Sequence, residues 1–426
     1  MQAVTELTLN EWLSRIEACH PSEIELGLDR IRDVARQLAL DFGATRVVTI
    51  AGTNGKGSTQ TFLDRILRHG GHSTGCYSSP HFLRYNERVR LNGEEVSDGL
   101  LCDAFAAVER ARGTTPLTYF EFGTLAALKI FADARPEYLL LEVGLGGRLD
   151  AVNIIDADVA VVTTVALDHT DWLGDSRELI GREKAGIFRA GRAAVCGDPQ
   201  PPVTVAEVAT QLGACLHQVG QTFSWQSGDS SWDWQGLNAR GEAVEMSGLP
   251  LPALPLPNAA TALQVLHLLP DPVPRQAIER GLQDARMTGR MQRISLDGSD
   301  CILDVAHNPE AAGYIAARLR AMPVRGRRHL LLGMLGDKDV AGVLAALAPL
   351  ADRWHLAGLA GARGQSSDRL AETLDRVDDS ASRALYPDVA SALQGLRGEL
   401  TADDQVLIAG SFFTVSEALA QLKLEG

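Results

Sequence analysis

The sequence predicts an α/β chain: a parallel-sheet domain built around a glycine-rich loop and carrying a small antiparallel insert, then a smaller Rossmann-like α/β domain. Three observations predict it. RVVTIAG (46–52), TNGKGST, QTFLDRILRHGG and STGCYSS follow one another as strand, loop, helix and strand, the opening of a parallel α/β domain. YLLLEVG (138–144) and DVAVVTTVA (158–166) are near-continuous apolar runs, as strands covered on both faces require. After about residue 300 the alternation restarts, with strand-like runs at 301–306, 329–335, 353–358 and 405–411.

The elements follow in order. Residues 8–42 read as helical from apolar residues at three- and four-residue spacing, with a break at HPSEIELGLDR. The helix after the glycine loop closes at Gly70 and Gly71. FGTLAALKIFADA (122–134) reads as a helix and RAAVCGD (192–198) as a strand. From about 214 to 246 the texture changes to antiparallel alternation, with three of the six Trp. LPLPALPLPNAA (249–260) is too rich in Pro for a regular helix, and its Asn258 is placed to cap the helix that follows. Residues 284–299 read as a crossing between domains, so the chain divides into 1–288 and 289–426.

Composition limits the functional classes. The 426 residues carry 40 Lys and Arg against 54 Asp and Glu, a formal charge of −14. With 45% hydrophobic and 22% charged residues the chain has material for cores, which excludes general disorder. Its charge argues against a polybasic nucleic-acid or membrane-surface binder. No signal-peptide pattern opens the chain, and no run of about 18 apolar residues occurs. The six Cys form no CxxC pair, as expected of reduced thiols in a cytoplasmic protein.

The strongest chemical feature is Gly52-Thr53-Asn54-Gly55-Lys56-Gly57-Ser58-Thr59. Glycines let backbone N–H groups curl round phosphate oxygens, and the helix N-terminus adds positive potential. Lys56 would reach the outer phosphates, and Ser58 or Thr59 would hold Mg²⁺. The spacing is GxxGKG[ST]T, which departs from the strict GxxxxGK[ST] P-loop. Glu142 ends an apolar strand, where a carboxylate either closes the strand or meets Mg²⁺. His169 lies between Asp168 and Asp171 after another strand. Lys184 reads either as a surface lysine of a helix or as a functional one. Asp304 and His307 end a strand of the second domain.

These segments resemble the folylpolyglutamate synthase/dihydrofolate synthase family, within the Mur-type amide ligases. The matching motifs run in order over about residues 24–415: IELGLDR, AGTNGKGST, CYSSPHFLRYNERVRLNG, TYFEFGT, LEVGLGGRLDAVN, DHTDWLG, REKAGI, LPLPNAATAL, GRMQ, LDVAHNP, GMLGDKD and AGSFFTV.

The resemblance implies an ATP-dependent ligase that joins L-glutamate to dihydropteroate and further glutamates to reduced folates, through an acyl phosphate. It implies two Mg²⁺ and admits K⁺. It makes Gly55, Lys56, Gly57, Ser58, Asn258, Arg290 and Asp304 ATP-binding, and Ser58, Ser79, Glu142 and His169 metal ligands. Lys56, Lys184, Asp304 and His307 become catalytic, with Lys184 carbamylated to N6-carboxylysine. Glu25, Leu26, Gly27, Leu28, Thr118, Tyr119, Phe120, Glu121, Leu149, Asp150 and Ala151 line the dihydropteroate pocket, with Tyr119 and Phe120 stacking and Asp150 accepting pterin N–H groups. The site is expected in the cleft between the domains. The chain departs from many relatives at Val152, where Thr is common, and at Phe413, where His is frequent. A synthase that only lengthens the glutamate tail is the alternative. The expected partners are small molecules alone, with no nucleic acid or membrane, acting on a cytoplasmic monomer.

Overall fold

A computed structural model describes residues 7–20, 22 and 24–424. The chain forms two compact units, the first ending at Ala285 and the second beginning at Arg286.

In the first unit an eight-stranded sheet contains β1 (Arg46–Ala51), β2 (Thr74–Tyr77), β3 (Val89–Leu91), β4 (Glu94–Glu95), β5 (Tyr138–Glu142), β6 (Val159–Val162), β7 (Ala193–Cys196) and β8 (Cys215–Gln218). Its order is β4-β3-β2-β5-β1-β6-β7-β8. The pairs from β2 across to β8 are parallel, and β3 and β4 add an antiparallel edge. The central strands are buried throughout, because β-branched and Leu residues meet helices on both faces. Helix Lys56–His69 packs there, and its buried Gln60 donates Nε2–H to the carbonyls of Tyr77 and Leu140, tying β2 to β5.

The antiparallel insert is a separate sheet of β9 (Ser224–Ser227), β10 (Ser231–Leu237) and β11 (Ala243–Pro250), in the order β11-β10-β9. Trp232 and Trp234 face inward, and Trp234 Nε1 donates to the Ala260 carbonyl at 3.1 Å, which anchors the insert to helix Leu256–Leu268. Two local expectations need correction. Cys215–Gln218 does not belong to the insert; it pairs parallel with β7 as the sheet's last strand. Asn258 is not a cap, because the helix starts at Leu256 and tolerates Pro257 in its first turn, where no N–H is needed.

The second unit has one sheet of β12 (Gln292–Leu296), β13 (Ser299–Leu303), β14 (Arg328–Leu332), β15 (Arg353–Ala357), β16 (Arg383–Tyr386) and β17 (Gln405–Ala409). The order is β12-β13-β17-β14-β15-β16. Only the β12–β13 pair is antiparallel. Residues 292–296, expected within a crossing, are thus an edge strand. No helix among the described residues is long and apolar enough to cross a membrane.

A buried polar chain crosses this second sheet. His329 Nδ1 lies 3.1 Å from His355 Nε2, and His355 Nδ1 lies 3.3 Å from the Tyr386 hydroxyl. One proton on each ring orders it: Tyr386 donates to His355 and His355 to His329, while His329 Nε2 makes no hydrogen bond, its nearest carboxylate being Asp404 at 3.8 Å. His329, His355 and Glu399 are the one group of metal-type donors that converges among the described residues. The imidazoles are bonded to each other and both Glu399 oxygens bond Arg353, so hydrogen bonding accounts for the group. Burial lowers both imidazole pKa values, His355 to about 4. The unfolded chain therefore binds more protons below about pH 6.5, and stability must fall as pH drops from there toward 4. Calorimetry at pH 7 and pH 5 is expected to show a lower melting temperature for this unit at pH 5. His355→Leu is expected to flatten that dependence, and an unchanged slope would remove the histidine chain as its cause.

Candidate active site

β1 delivers the chain to Gly52, whose φ of +151° suits glycine. A Cβ there would lie 1.8 Å from Thr163 Oγ1, the hydroxyl that donates to the Asn54 carbonyl at 2.5 Å. Thr53 N donates to the Thr164 carbonyl at 2.8 Å, and Asn54 N to Thr164 Oγ1 at 3.1 Å. The loop is thus clamped onto the residues that follow β6. Gly55, at φ +86°, opens the helix, and a Cβ on it would meet Asn258 Oδ1 at 2.6 Å. Asn258 therefore packs directly on the loop. Lys56 Nζ donates to the carbonyls of Gly52 at 2.9 Å and Thr53 at 3.3 Å, folding back over the loop it follows. Gly52→Ala is expected to weaken binding of a non-hydrolysable ATP analogue at least about tenfold, because φ and the Thr163 contact both oppose the methyl. Calorimetric titration checks this, and unchanged affinity would show that the clamp does not shape the loop.

The candidate metal ligands come from neighbouring strands. Ser79 follows β2, Glu142 ends β5, Ser58 lies in the first turn after β1, and His169 follows β6; these strands are adjacent in the order β2-β5-β1-β6. Glu142 and Ser58 are buried, and Glu142 aligns with Ile50 of β1. Hydroxyl and carboxylate oxygens are the donors Mg²⁺ takes, usually one or two carboxylates with phosphate and water completing the shell. The donor set fits that ion, with the His169 imidazole its softer member. His169 adopts φ +53° just before the short helix Thr170–Leu173.

Lys184 is not a surface lysine. It sits in the last turn of helix Arg177–Ala185 and is 4% exposed. The loop after β5 closes over it: Arg148 N donates to the Glu183 carbonyl, and a Cβ on Gly147 would meet the Lys184 carbonyl at 2.8 Å. Burial, reinforced by the Lys56 charge, lowers its pKa to about 7, while Asp168 and Asp150 oppose the shift. Asp150 is pushed up to about 6 by burial, against backbone N–H donors and Lys56. Lys56, Lys184, Asp150 and Asp168 thus share one electrostatic neighbourhood.

The residues proposed for a flat heterocycle divide into two kinds. Tyr119 and Phe120 are half-buried at the start of helix Tyr119–Ala134. The Phe120 ring covers Gly144, where a Cβ would lie 2.6 Å from Cζ. Leu26, Gly27 and Leu149 are half-buried, Leu28 and Ala151 buried and Glu25 exposed. Thr118 and Glu121 have their polar atoms in use. They form the capping box of that helix, and Arg30 Nε donates to both Glu121 oxygens at 2.9 and 3.0 Å. Asp150 likewise accepts Leu145 N on one oxygen and Val152 N on the other. These polar groups shape the loops before they meet a ligand. Arg30 ends the motif IELGLDR, but the motif gave it no role; its pairing with Glu121 emerges only in the fold.

In the second unit Asp304 follows β13 and is buried, accepting Met291 N at 2.8 Å and Ala306 N at 2.9 Å. Burial raises its pKa, against the opposing charge of Arg290. The Arg290 guanidinium lies 5.2 Å from the Phe412 ring centre. His307 Nδ1–H donates to the Val305 carbonyl at 2.9 Å. Phe413 is 62% exposed.

Comparison with known proteins places these features. The chain matches the Mur ligase middle domain over residues 50–198 and the Mur ligase glutamate ligase domain over residues 289–412. It is 46% identical to the dihydrofolate synthase/folylpolyglutamate synthase of Escherichia coli (strain K12), over 96% of this chain and 94% of that protein. It is 40% identical to the Haemophilus influenzae protein of the same name, over 98% of each. The structure of E. coli FolC in complex with DHPP and ADP superposes with a TM-score of 0.93 at 45% identity, covering 99% of both chains. A bifunctional folylpolyglutamate synthase/dihydrofolate synthase with Mn, AMPPNP and L-glutamate bound gives a TM-score of 0.91 at 46% identity, covering 99% of this chain and 100% of that one.

Proposed function

Since the chain belongs to the dihydrofolate synthase/folylpolyglutamate synthase family of Mur-type ligases, we propose that it ligates L-glutamate to dihydropteroate, giving dihydrofolate, and adds further glutamates to reduced folates. ATP is the co-substrate, and a divalent metal acts with it. The observation that carries the reading is that the glycine loop follows β1, while the loop after the adjacent strand β5, which bears Asp150, closes over the buried Lys184. The proposed phosphate loop and the loop bearing Asp150 thus follow neighbouring strands of the first unit.

A carboxylate oxygen of the pteroate or folate attacks the γ-phosphorus of ATP, and ADP leaves. The glutamate amine attacks the acyl carbon of the resulting acyl phosphate, and inorganic phosphate leaves as the amide forms. The loop's N–H groups and Lys56 Nζ meet the charge on the phosphates, which phosphoryl transfer requires. To do so Lys56 must release the carbonyls of Gly52 and Thr53. Gly55, Gly57 and Ser58 line the same loop, and Asn258 fixes its conformation.

We assign metal binding to Ser58, Ser79, Glu142 and His169, and to Lys184 as its carbamate; two Mg²⁺ are proposed, with K⁺ as a further ion. Bound Mg²⁺ would neutralise phosphate charge. Arg290 and Asp304 are proposed to contact the nucleotide and His307 to assist transfer. Tyr119, Phe120, Leu26, Gly27, Leu28, Leu149 and Ala151 are proposed to form the apolar walls for the pterin, with Glu25 at the rim. Thr118, Glu121 and Asp150 hold those walls in place. A cytoplasmic monomer is proposed, in keeping with six free cysteines.

Phosphate release with ATP, Mg²⁺ and L-glutamate tests the reading, with dihydropteroate as acceptor in one reaction and tetrahydrofolate in another. Glutamate-dependent release with both is expected. Release with tetrahydrofolate alone would make the enzyme a tail-lengthening synthase and would remove the dihydropteroate assignment.

A further inference from the structure

Arg88 is a buried cation without a counter-ion. It is 9% exposed, and among the described residues no carboxylate lies within ion-pair distance of it. Arginine is rarely buried in that condition, because its charge then loses water without gaining a partner. The nearest acidic neighbours in sequence are engaged elsewhere. Glu87 accepts the backbone N–H groups of Phe82, Leu83 and Arg84, and Asp98 accepts from Arg84 and Asn86.

The surroundings hold the guanidinium in place without neutralising it. Its carbon lies 5.3 Å from the Tyr85 ring centre and 5.7 Å from that of Tyr119, within cation–π range of both. Its Nε–H donates to His81 Nδ1 at 2.8 Å. That nitrogen accepts, so it adds a hydrogen bond and no negative charge. No described residue accepts from either terminal nitrogen of Arg88. The fork that arginine offers to a carboxylate is therefore unused.

Its place in the fold says what the fork would take. The Arg88 carbonyl accepts Ser78 N at 2.9 Å, one residue before the proposed metal ligand Ser79. The guanidinium itself lies against Tyr119, a proposed wall of the pterin pocket. In dihydropteroate the reacting carboxylate is at the far end of the molecule from the pterin. A substrate whose pterin lies against Phe120, whose ring packs on the Gly144 end of the loop bearing Asp150, would carry that carboxylate past Tyr119 and Arg88.

We propose that Arg88 receives the aryl carboxylate of dihydropteroate, the group that is phosphorylated, and orients it for attack. The inference rests on the pterin site proposed above. It gives a role to Arg88, which lies within the segment CYSSPHFLRYNERVRLNG but was assigned none there.

The test is equilibrium binding to the full chain of two probes, dihydropteroate and its decarboxylated aniline analogue. The wild type is expected to prefer dihydropteroate by about tenfold or more, as a charge-assisted bidentate contact should give. Arg88→Met is expected to bind the two probes nearly equally. A preference that survives in Arg88→Met overturns the proposal, as does an equal loss of affinity for both probes. A fall in ATP-analogue affinity matching the fall for dihydropteroate would identify a phosphate as the anion and also overturn it. If Arg88→Met gives no cooperative melt, Arg88→Lys replaces it. That variant keeps the charge but loses the fork, so its preference should drop at least about threefold; an undiminished preference overturns the proposal. A wild type that binds both probes equally overturns the proposal alone. A wild type that binds neither overturns the pterin reading and the proposal with it.

Discussion

Lys56→Ala is expected to lower turnover by about a thousandfold or more while leaving the fold intact. The two halves of that expectation have separate causes. Turnover falls because Lys56 is the loop's one cation, and a bound phosphate can replace the backbone carbonyls of Gly52 and Thr53 that its ammonium meets. The fold survives because the loop's shape comes from elsewhere: Thr163 on Asn54, Thr164 on Thr53 and Asn54, and Asn258 against Gly55. The same substitution has a second readout. Lys56 depresses the pKa of Lys184 and favours the charged form of Asp150, so its loss should raise both from about 7 and about 6. Phosphate release, a thermal melt and a pH titration of the variant check the three effects together. Near-normal turnover with a wild-type melt would take the phosphate role away from Lys56.

What could be read from the sequence follows from which residues announce their own environment. The central strands were legible because a run such as YLLLE can be satisfied only when covered on both faces. The glycine loop was legible because its composition and its place between strand and helix coincide. β12 was missed because QRISL is an edge strand, exposed on alternate residues and close to a loop in composition. Cys215–Gln218 was misassigned because only its parallel partner, β7, shows that it belongs to the main sheet.

The site divides in the same way. Lys184 could not be separated from a surface lysine by periodicity, because its burial comes from a loop about forty residues earlier closing over the end of its helix. Thr118 and Glu121 belong to a motif, but the motif does not say that their polar atoms cap a helix and hold Arg30. Arg30 and Arg88 take their roles from partners distant in sequence, or from the absence of one. Neither is visible until the chain is folded.

Lys184 is the other residue on which activity should turn. Removing it as Lys184→Ala is expected to cut turnover by about 10–100-fold, with partial recovery in millimolar formate or acetate, small carboxylates that fill the vacated space. The rescue follows from the chemistry proposed for the lysine. A neutral Nζ attacks the carbon of CO₂, an N–H proton passes to solvent, and a carbamate results. Only the neutral amine can do this, and an ordinary lysine is almost wholly charged at neutral pH. Burial and Lys56 bring Lys184 to about 7, so a large share is reactive in that range. The sign is fixed: the reactive fraction grows as pH rises through 7 and falls about tenfold per pH unit well below it. Bicarbonate-depleted enzyme should therefore regain activity on adding bicarbonate faster at pH 8 than at pH 6. Isotopically labelled bicarbonate should give a carbamate resonance that Lys184→Ala lacks. The proposed modification would also replace a cation that Lys56 repels with an anion it attracts, and would add a carboxylate-like oxygen donor to the proposed metal set. If full turnover persists in Lys184→Ala without added carboxylate, its low pKa is a consequence of burial and Lys56 only, and the residue has no part in the chemistry.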